Sequence, residues 1–297
     1  MKRGFMQLCL FLLPALACLP GRAEIVVTDV GGTTIKLAAP ARRIISLAPN
    51  ITELLFAAGA GDRLVGNVEF GEYPPAVKAV PKIGGYARFD LEAIMALKPD
   101  LILGWESGND AASISRLRSM GLTVHLSEVD RIEDIAGEIE RIGKLAGTEA
   151  IAGPVAVAFR QRHAKLLARY SGRPRVNVFY QIWKQPLMTV NSRQIISDVI
   201  SLCGGRNVFA QLPGLAPTVS IEAVIAANPE AIVASGMGDV RPEWLDDWKR
   251  WRTLAAVSRG NLYFVPPDLI QRHTPRILDG AELLCAHLEA ARGKRSR

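Results

Sequence analysis

Few residues in this chain are arranged for covalent chemistry. Its four histidines, His125, His163, His273 and His287, are scattered, and none forms a pair at the helical spacing a metal site needs. No Walker pattern, dinucleotide fingerprint or G-x-S-x-G elbow occurs. Asp246 and Asp247 are adjacent carboxylates, but Trp244, Trp248 and Trp251 around them read as one helix face packing into a core. What recurs is a different chemistry. Aromatic and polar side chains follow apolar, strand-like runs: Phe70 and Tyr73 after Val65-Gly66, Tyr86 after Ile83 to Gly85, and Trp105 after Leu101 to Gly104. Gln181, Ile182 and Trp183 follow Val178 to Tyr180, and Asp268 follows Leu262 to Val265. In α/β sheets ligands collect at the carboxyl ends of strands. Aromatics there suit non-covalent capture of a broad, flat, partly apolar molecule. The plainer alternative is that each caps a core. Trp105 argues most against it, because it sits in a Gly/Ser/Asn loop.

Short β-branched runs alternate with amphipathic helical stretches, the pattern of α/β layers. Strands are expected at Arg43 to Leu47, Leu64 to Gly66, Leu101 to Gly104, Leu122 to Leu126 and Val176 to Tyr180. Pro49 to Thr52 opens a helix that Gly59 and Gly61 stop. Ile132 to Leu145 is amphipathic, with Glu138 to Arg141 read as its charged outer face. A further helix runs from Gly147 to about Tyr170, beginning or bending at Pro154.

Phe89 to Ile102 is echoed 130 residues later by Val219 to Ile232. In each copy a cap residue, Asp90 or Ser220, precedes a helix with a glutamate in its first turn, Glu92 or Glu222. In each, a proline follows the helix and an apolar strand comes next. Agreement in cap, glutamate, apolar spacing and proline implies two related lobes. The expected fold is therefore α/β: two similar three-layer lobes joined by one long helix, with a ligand cleft between them. The divisions are an N-terminal lobe over 24–146, a linker helix over 147–172 and a C-terminal lobe over 173–297. Lobes joined this way should hinge little.

Met1-Lys2-Arg3, an apolar run from Phe5 to Leu19 and small residues at Gly21 and Ala23 read as a signal peptide over 1–23. A weak lipoprotein box ending at Cys18 is the rival processing site. Export places the chain in the periplasm, free or lipid-anchored. The formal charge of +7 falls to +4 once Lys2, Arg3 and Arg22 are removed, and part of the excess sits in a C-terminal tail, Arg292 to Arg297, expected to fray. No basic stripe interleaved with aromatics argues for nucleic acid. Two cysteines remain after cleavage, Cys203 and Cys285. In an oxidising compartment they read as a disulfide, the alternative being two buried thiols.

Several stretches together resemble the helix-linked class of ABC-importer solute-binding proteins, and within it the cobalamin-binding branch. They are Ser46 to Leu54, Glu72 to Pro75, Ala96 to Leu101, Cys203 to Phe209 and Asp268 to Arg276. The first and third are shared across the class. The last, with the cysteine pair, is closer to the cobalamin branch. The resemblance implies a non-enzymatic receptor that carries cobalamin, as transported ligand and not as cofactor, to an ABC-importer permease. It implies a ligand site at Phe70, Tyr86, Trp105 and the loop Asp268, Leu269, Ile270, Gln271 and Arg272. Phe70 stands where the family has a tyrosine and Tyr86 where it has a tryptophan. Leu269, Ile270 and Ala216 replace bulkier aromatics, and Trp183 restores some aromatic surface. Glu92 and Glu222 match the pair that docks on permease arginines. The main rival is a haem or iron-siderophore receptor of the same fold. Tyr86 or His273 would be an axial ligand for haem, and Arg88 and Arg272 would be anchors for a siderophore. A metal-dependent or hydrolytic enzyme lacks an assembled site. An adhesion role would not account for aromatics at strand ends in both lobes.

Overall fold

The computed structural model describes residues 24–295 apart from Met237 and Asp239. The expected leader over 1–23, with both of its candidate processing sites, and the last two residues of the tail lie outside the described residues. A short antiparallel hairpin, β1 (Ile25–Thr28) and β2 (Thr34–Leu37), comes first. The first sheet follows: β3 (Ile44–Ser46), α1 (Pro49–Ala57), β4 (Leu64–Asn67), α2 (Leu91–Ala96), β5 (Leu101–Trp105), α3 (Ala111–Ser119) and β6 (Val124–Ser127). Two helices then run in succession, α4 (Asp134–Ala146) and α5 (Glu149–Tyr170). The second half contains β7 (Val176–Gln181), α6 (Ile195–Leu202), β8 (Gly205–Asn207), α7 (Ile221–Ala227) and β9 (Ala231–Ala234). It ends with α8 (Ala255–Ser258), β10 (Leu262–Phe264), α9 (Pro267–Ile270) and α10 (Ile277–Gly293).

Both four-stranded sheets are parallel, with orders β4-β3-β5-β6 and β8-β7-β9-β10. Read by chain position within each half, these are the same order. The echoed segments occupy equivalent places. Asp90 accepts from the Ala93 amide at 3.0 Å, and Ser220 accepts from the Ala223 amide at 3.1 Å, each capping its helix. Lys98 and Asn228, just before Pro99 and Pro229, both turn the chain through left-handed backbone, at φ 47° and 40°. A central strand of the sheet follows in each case. The central strands are buried throughout, save Trp105 at the end of β5 and Asn177 in β7, as parallel strands covered on both faces must be.

Three apolar clusters fill the layers. One lies between the first sheet and α2 and α3, around Ile45, Ile94 and Leu117. Another lies under α7, α8 and a 3-10 segment at Glu243–Arg250, around Phe179, Val224 and Trp248. Trp248 is buried and Trp244 and Trp251 pack beside it, as the tryptophan spacing anticipates. The largest cluster is continuous through both halves. It runs from Ile44 and Leu54 through Ile139 of α4 and Phe159 of α5 to Val178, Val199 and Leu284. The two sheets thus share one core by way of the connecting helices. Where α4 crosses α5, a Cβ on Gly143 would fall 2.3 Å from that of Ala152. The helices meet at a distance only glycine permits.

Four local readings need correction. Helix α5 does not begin at Pro154; it starts at Glu149 and carries the proline inside. Pro154 and Ala150 lie on the exposed side, so the Ala150 carbonyl that loses its amide partner faces water. Glu138 does not belong to a charged outer face. It is buried, held by His125 Nε2 at 3.2 Å and Arg141 Nε at 2.7 Å. The tail is not frayed as far as Arg295. Arg292 donates to the Cys203, Gly204 and Pro174 carbonyls, and Arg295 pairs with Glu230. The strand β8 was not anticipated, because three residues that start on the second of two glycines carry no periodic signal. Cys203 and Cys285 form a disulfide across 82 residues of chain, worth nominally about 4–5 kcal/mol in the chain-entropy model. No described helix is long and apolar enough to cross a membrane.

Candidate ligand-binding cleft

A cavity of about 1010 Å³ opens between the carboxyl ends of the two sheets. Trp105, at the end of β5, forms part of one wall, with the segment 128–131 after β6. Ile182 and Trp183 after β7, Ile195 and Ile196 at the start of α6, and Met188 supply an apolar opposite wall. Gln271 and His273 join them from the loop after α9. A volume of this size suits a ligand larger than most metabolites.

Each aromatic is positioned by polar contacts. Trp105 Nε1 donates to Glu128 Oε1 at 3.1 Å, and the other carboxylate oxygen accepts from the Ser107 amide at 2.8 Å. The Trp105 amide donates to Asn109 Oδ1 at 2.7 Å. Asn109 Nδ2 then reaches the Leu47 carbonyl at 3.0 Å and the Tyr86 carbonyl at 2.8 Å. One buried asparagine therefore ties the loops after β3 and β5 to the Tyr86 turn. Trp183 Nε1 donates to the Gln185 carbonyl at 3.1 Å, and Gln181 bridges the Trp183 carbonyl and Trp248 Nε1.

Trp105, Trp183 and Gln271 line the cavity, as does Ala216. Phe70 and Tyr86 stand outside its wall as exposed aromatics, 66% and 44% accessible. Phe70 holds a left-handed φ of 62°, rare for an aromatic, while its carbonyl accepts from Arg272 Nη2 at 3.3 Å. The Asp268 to Arg272 loop divides. Gln271 faces the cavity and donates to Ser235 Oγ. Ile270 is wholly buried in the shared core, so its side chain does not face the ligand space, contrary to the family pattern. Leu269 is half-buried, with its carbonyl packed where a Cβ on Gly280 would collide.

Asp268 and Arg272 join a network that residue patterns did not disclose. Glu53, on α1 of the first half and 4% exposed, receives Arg272 Nη1 at 2.9 Å. It also receives Arg276 Nε at 2.9 Å and Arg276 Nη2 at 2.7 Å. Asp268 accepts Arg272 at 2.9 Å, and the Tyr73 ring lies 3.9 Å from the Arg276 guanidinium. Arg272 is thus committed to a clamp between the halves. A second tie joins the Ile132 amide to Asp198 Oδ2 at 3.0 Å, with Arg131 beside it. The sole sequence signal for Glu53 was its place inside a class-wide motif, which says nothing of partners 219 and 223 residues away.

His273 lies against Trp105, ring centroids 6.2 Å apart and nearly perpendicular. Burial pushes its pKa below the ordinary histidine value, against the pull of Glu128, Asp130 and the Val129 carbonyl. Glu92 and Glu222 are both exposed, at equivalent starts of α2 and α7. The Ser220 hydroxyl and the helix-start amide at Glu222 hold the latter's carboxyl below the usual range, the backbone contact being the larger influence.

Residues 44–269 match the model of the periplasmic binding protein family. The chain is 35% identical over 253 residues to the vitamin B12-binding protein of Vibrio cholerae serotype O1, covering 85% of this chain and 91% of that one. It is 36% identical over 259 residues to the vitamin B12-binding protein of Vibrio parahaemolyticus, covering 86% and 92%. The crystal structure of the periplasmic vitamin B12-binding protein of Vibrio cholerae superposes with a TM-score of 0.79, covering 85% of this chain and 98% of that one. A periplasmic haem-binding protein from Roseiflexus shares the fold at a TM-score of 0.72 and 22% identity, over 84% of this chain and 99% of that one. With the matched strand orders and the cleft between them, these likenesses establish that the chain belongs to the periplasmic binding protein family.

Proposed function

We propose that this protein is a periplasmic receptor that captures cobalamin and delivers it to an ABC-type importer. The observation that carries the reading is the wide, aromatic-walled cleft, in a chain more than one-third identical to vitamin B12-binding proteins over most of its length. Trp105 and Trp183 would contact the corrin from opposite lobes, with Phe70 and Tyr86 as exposed aromatics of the first lobe and Gln271 as a polar anchor. Asp268 and Arg272 would act chiefly by holding the lobes in register around the ligand. A continuous core and a buried clamp leave little to reorganise on binding, so little of the contact energy is spent on ordering. Glu92 and Glu222, one exposed carboxylate on each lobe at matching helix starts, would meet arginines of a two-fold symmetric permease. The lobes follow 24–146 and 173–297, with 147–172 as the linker, and the leader would bring the chain to the periplasm.

The test is calorimetric titration of the mature, ligand-free protein with cyanocobalamin, with haemin in parallel. Saturable one-to-one binding of cyanocobalamin at sub-micromolar affinity, without comparable haemin binding, is the expected outcome. Tight haemin binding with a Soret shift would move the cargo to haem within the same receptor class, and binding of neither would leave cobalamin without support.

A further inference from the structure

The corrinoid reading accounts for the aromatic walls of the cleft but leaves His273 without a task. This imidazole belongs to the second lobe, lines the cavity and meets Trp105 of the first lobe edge-on at 6.2 Å. Its Nδ1 is sealed from solvent without a well-formed hydrogen bond, the Val129 carbonyl lies close enough to act on the ring, and Nε2 is the nitrogen that is not sealed. No carboxylate pairs with the ring among the described residues. The contrast with His125 and His287 is direct: the former is bound to Glu138, and the latter meets the Phe264 carbonyl and stacks on Tyr263. An imidazole kept in an aromatic cleft, with its ligating nitrogen uncommitted, is a ready donor to a borderline metal.

We propose that His273 is a metal-ligating residue that binds the cobalt of a cobalt(III) corrinoid whose exchangeable axial position holds water. This rests on the cobalamin reading and deepens it by naming a cargo class. Nε2 gives its lone pair to cobalt, the cobalt–water bond breaks and one water leaves. The proton stays on Nδ1, cobalt stays trivalent and no electron moves. Aquocobalamin meets the requirement. Cyanocobalamin does not, because cyanide holds the same position far more tightly than imidazole could. The receptor would therefore favour the aquo form by coordination while accepting the cyano form through the shared aromatic contacts.

The experiment follows wild type, His273→Ala and His273→Gln with both corrinoids. Absorption spectra report ligation, calorimetry reports affinity and circular dichroism checks folding. The expected result has three parts. Wild type moves the aquocobalamin bands to longer wavelength, as a nitrogen donor replacing water does. It binds aquocobalamin at least about tenfold more tightly than cyanocobalamin, a difference of about 1.4 kcal/mol. Both variants lose the spectral change and the preference, read as the ratio of the two affinities in each protein so that any general loss of cavity contact cancels. Binding of aquocobalamin with an unchanged spectrum would overturn the proposal and leave the cobalamin reading standing. So would a spectral change that persists in both variants. Failure of wild type to bind cyanocobalamin at all would overturn the cobalamin reading itself.

Discussion

Replacing Glu53 by glutamine keeps its shape and removes one buried charge from the clamp between the lobes. Three charge-assisted hydrogen bonds converge on this carboxylate, from Arg272 at 2.9 Å and Arg276 at 2.9 and 2.7 Å. Each such bond contributes about 1.5–3 kcal/mol, so a plain sum would reach about 5–9 kcal/mol. Three features lower it. Glutamine retains one acceptor oxygen, Asp268 still neutralises Arg272 at 2.9 Å, and both arginines keep nearly a fifth of their side-chain surface in water. Breaking one partner of a fully buried pair costs about 3–5 kcal/mol, and with that exposure we expect about 2–4 kcal/mol for Glu53→Gln. At this chain length the loss would lower Tm by about 5–15 °C. Urea unfolding followed by tryptophan fluorescence is the suitable assay, since a charged denaturant would itself screen the clamp. A loss below about 0.5 kcal/mol, with an unchanged slope against urea, would refute the argument that these charges hold the lobes together.

Three further outcomes are expected. Trp105→Ala should weaken cyanocobalamin binding by at least about tenfold, or about 1.4 kcal/mol, in protein checked by circular dichroism to be folded; unchanged affinity by calorimetry would remove Trp105 from the ligand site. Glu92→Ala combined with Glu222→Ala should leave ligand affinity intact and impair uptake in reconstituted vesicles, so full uptake would end the docking role. Burial pushes the Glu138 carboxyl up, but the His125 hydrogen bond and charge and Arg141 outweigh it and hold it below its ordinary value of 4.5. A depressed folded pKa gives stability that is full above 4.5 and lost as pH falls through the lower folded value. Urea midpoints measured from pH 7 to pH 3 should therefore drop more steeply in wild type than in Glu138→Gln, and parallel curves would refute the assignment.

Much of the architecture could be read from local patterns. Runs such as Leu101 to Gly104 and Val176 to Tyr180 can be satisfied only as strands covered on both faces, and the repeated cap, glutamate and proline placed two helix–strand units in equivalent positions. Trp105 reads as a loop residue from its Gly/Ser/Asn neighbours; it ends β5 and packs in part against the shared core while also lining the cavity. Other features depended on partners distant in sequence. Glu138 sits where helical periodicity places surface charge, and only the approach of His125 makes its burial tolerable. The same holds for Glu53, whose arginines lie more than 200 residues away. Ile270 was assigned to the ligand by its position in a loop motif, but one turn of helix at Pro267–Ile270 rotates it into the core and leaves Gln271 and His273 at the cavity. Asn109 carried a weak signal at most, an amide beside a helix-capping aspartate. Its three backbone contacts become meaningful only once three separate loops converge.

Each sheet closes on its own stretch of chain, the first within residues 44–127 and the second within 176–264. Among the described residues no strand is exchanged between them. In chain order, the first sheet has all its strands before any residue of the second. Cys203 and Cys285 both lie in the later half, so their disulfide needs the C-terminal helix and does not involve the first sheet. The topology therefore permits assembly from N- to C-terminus, with the disulfide and the Glu53 clamp completed last. A chain cut short before Arg272 would retain every described strand but lose the Glu53 clamp between the lobes.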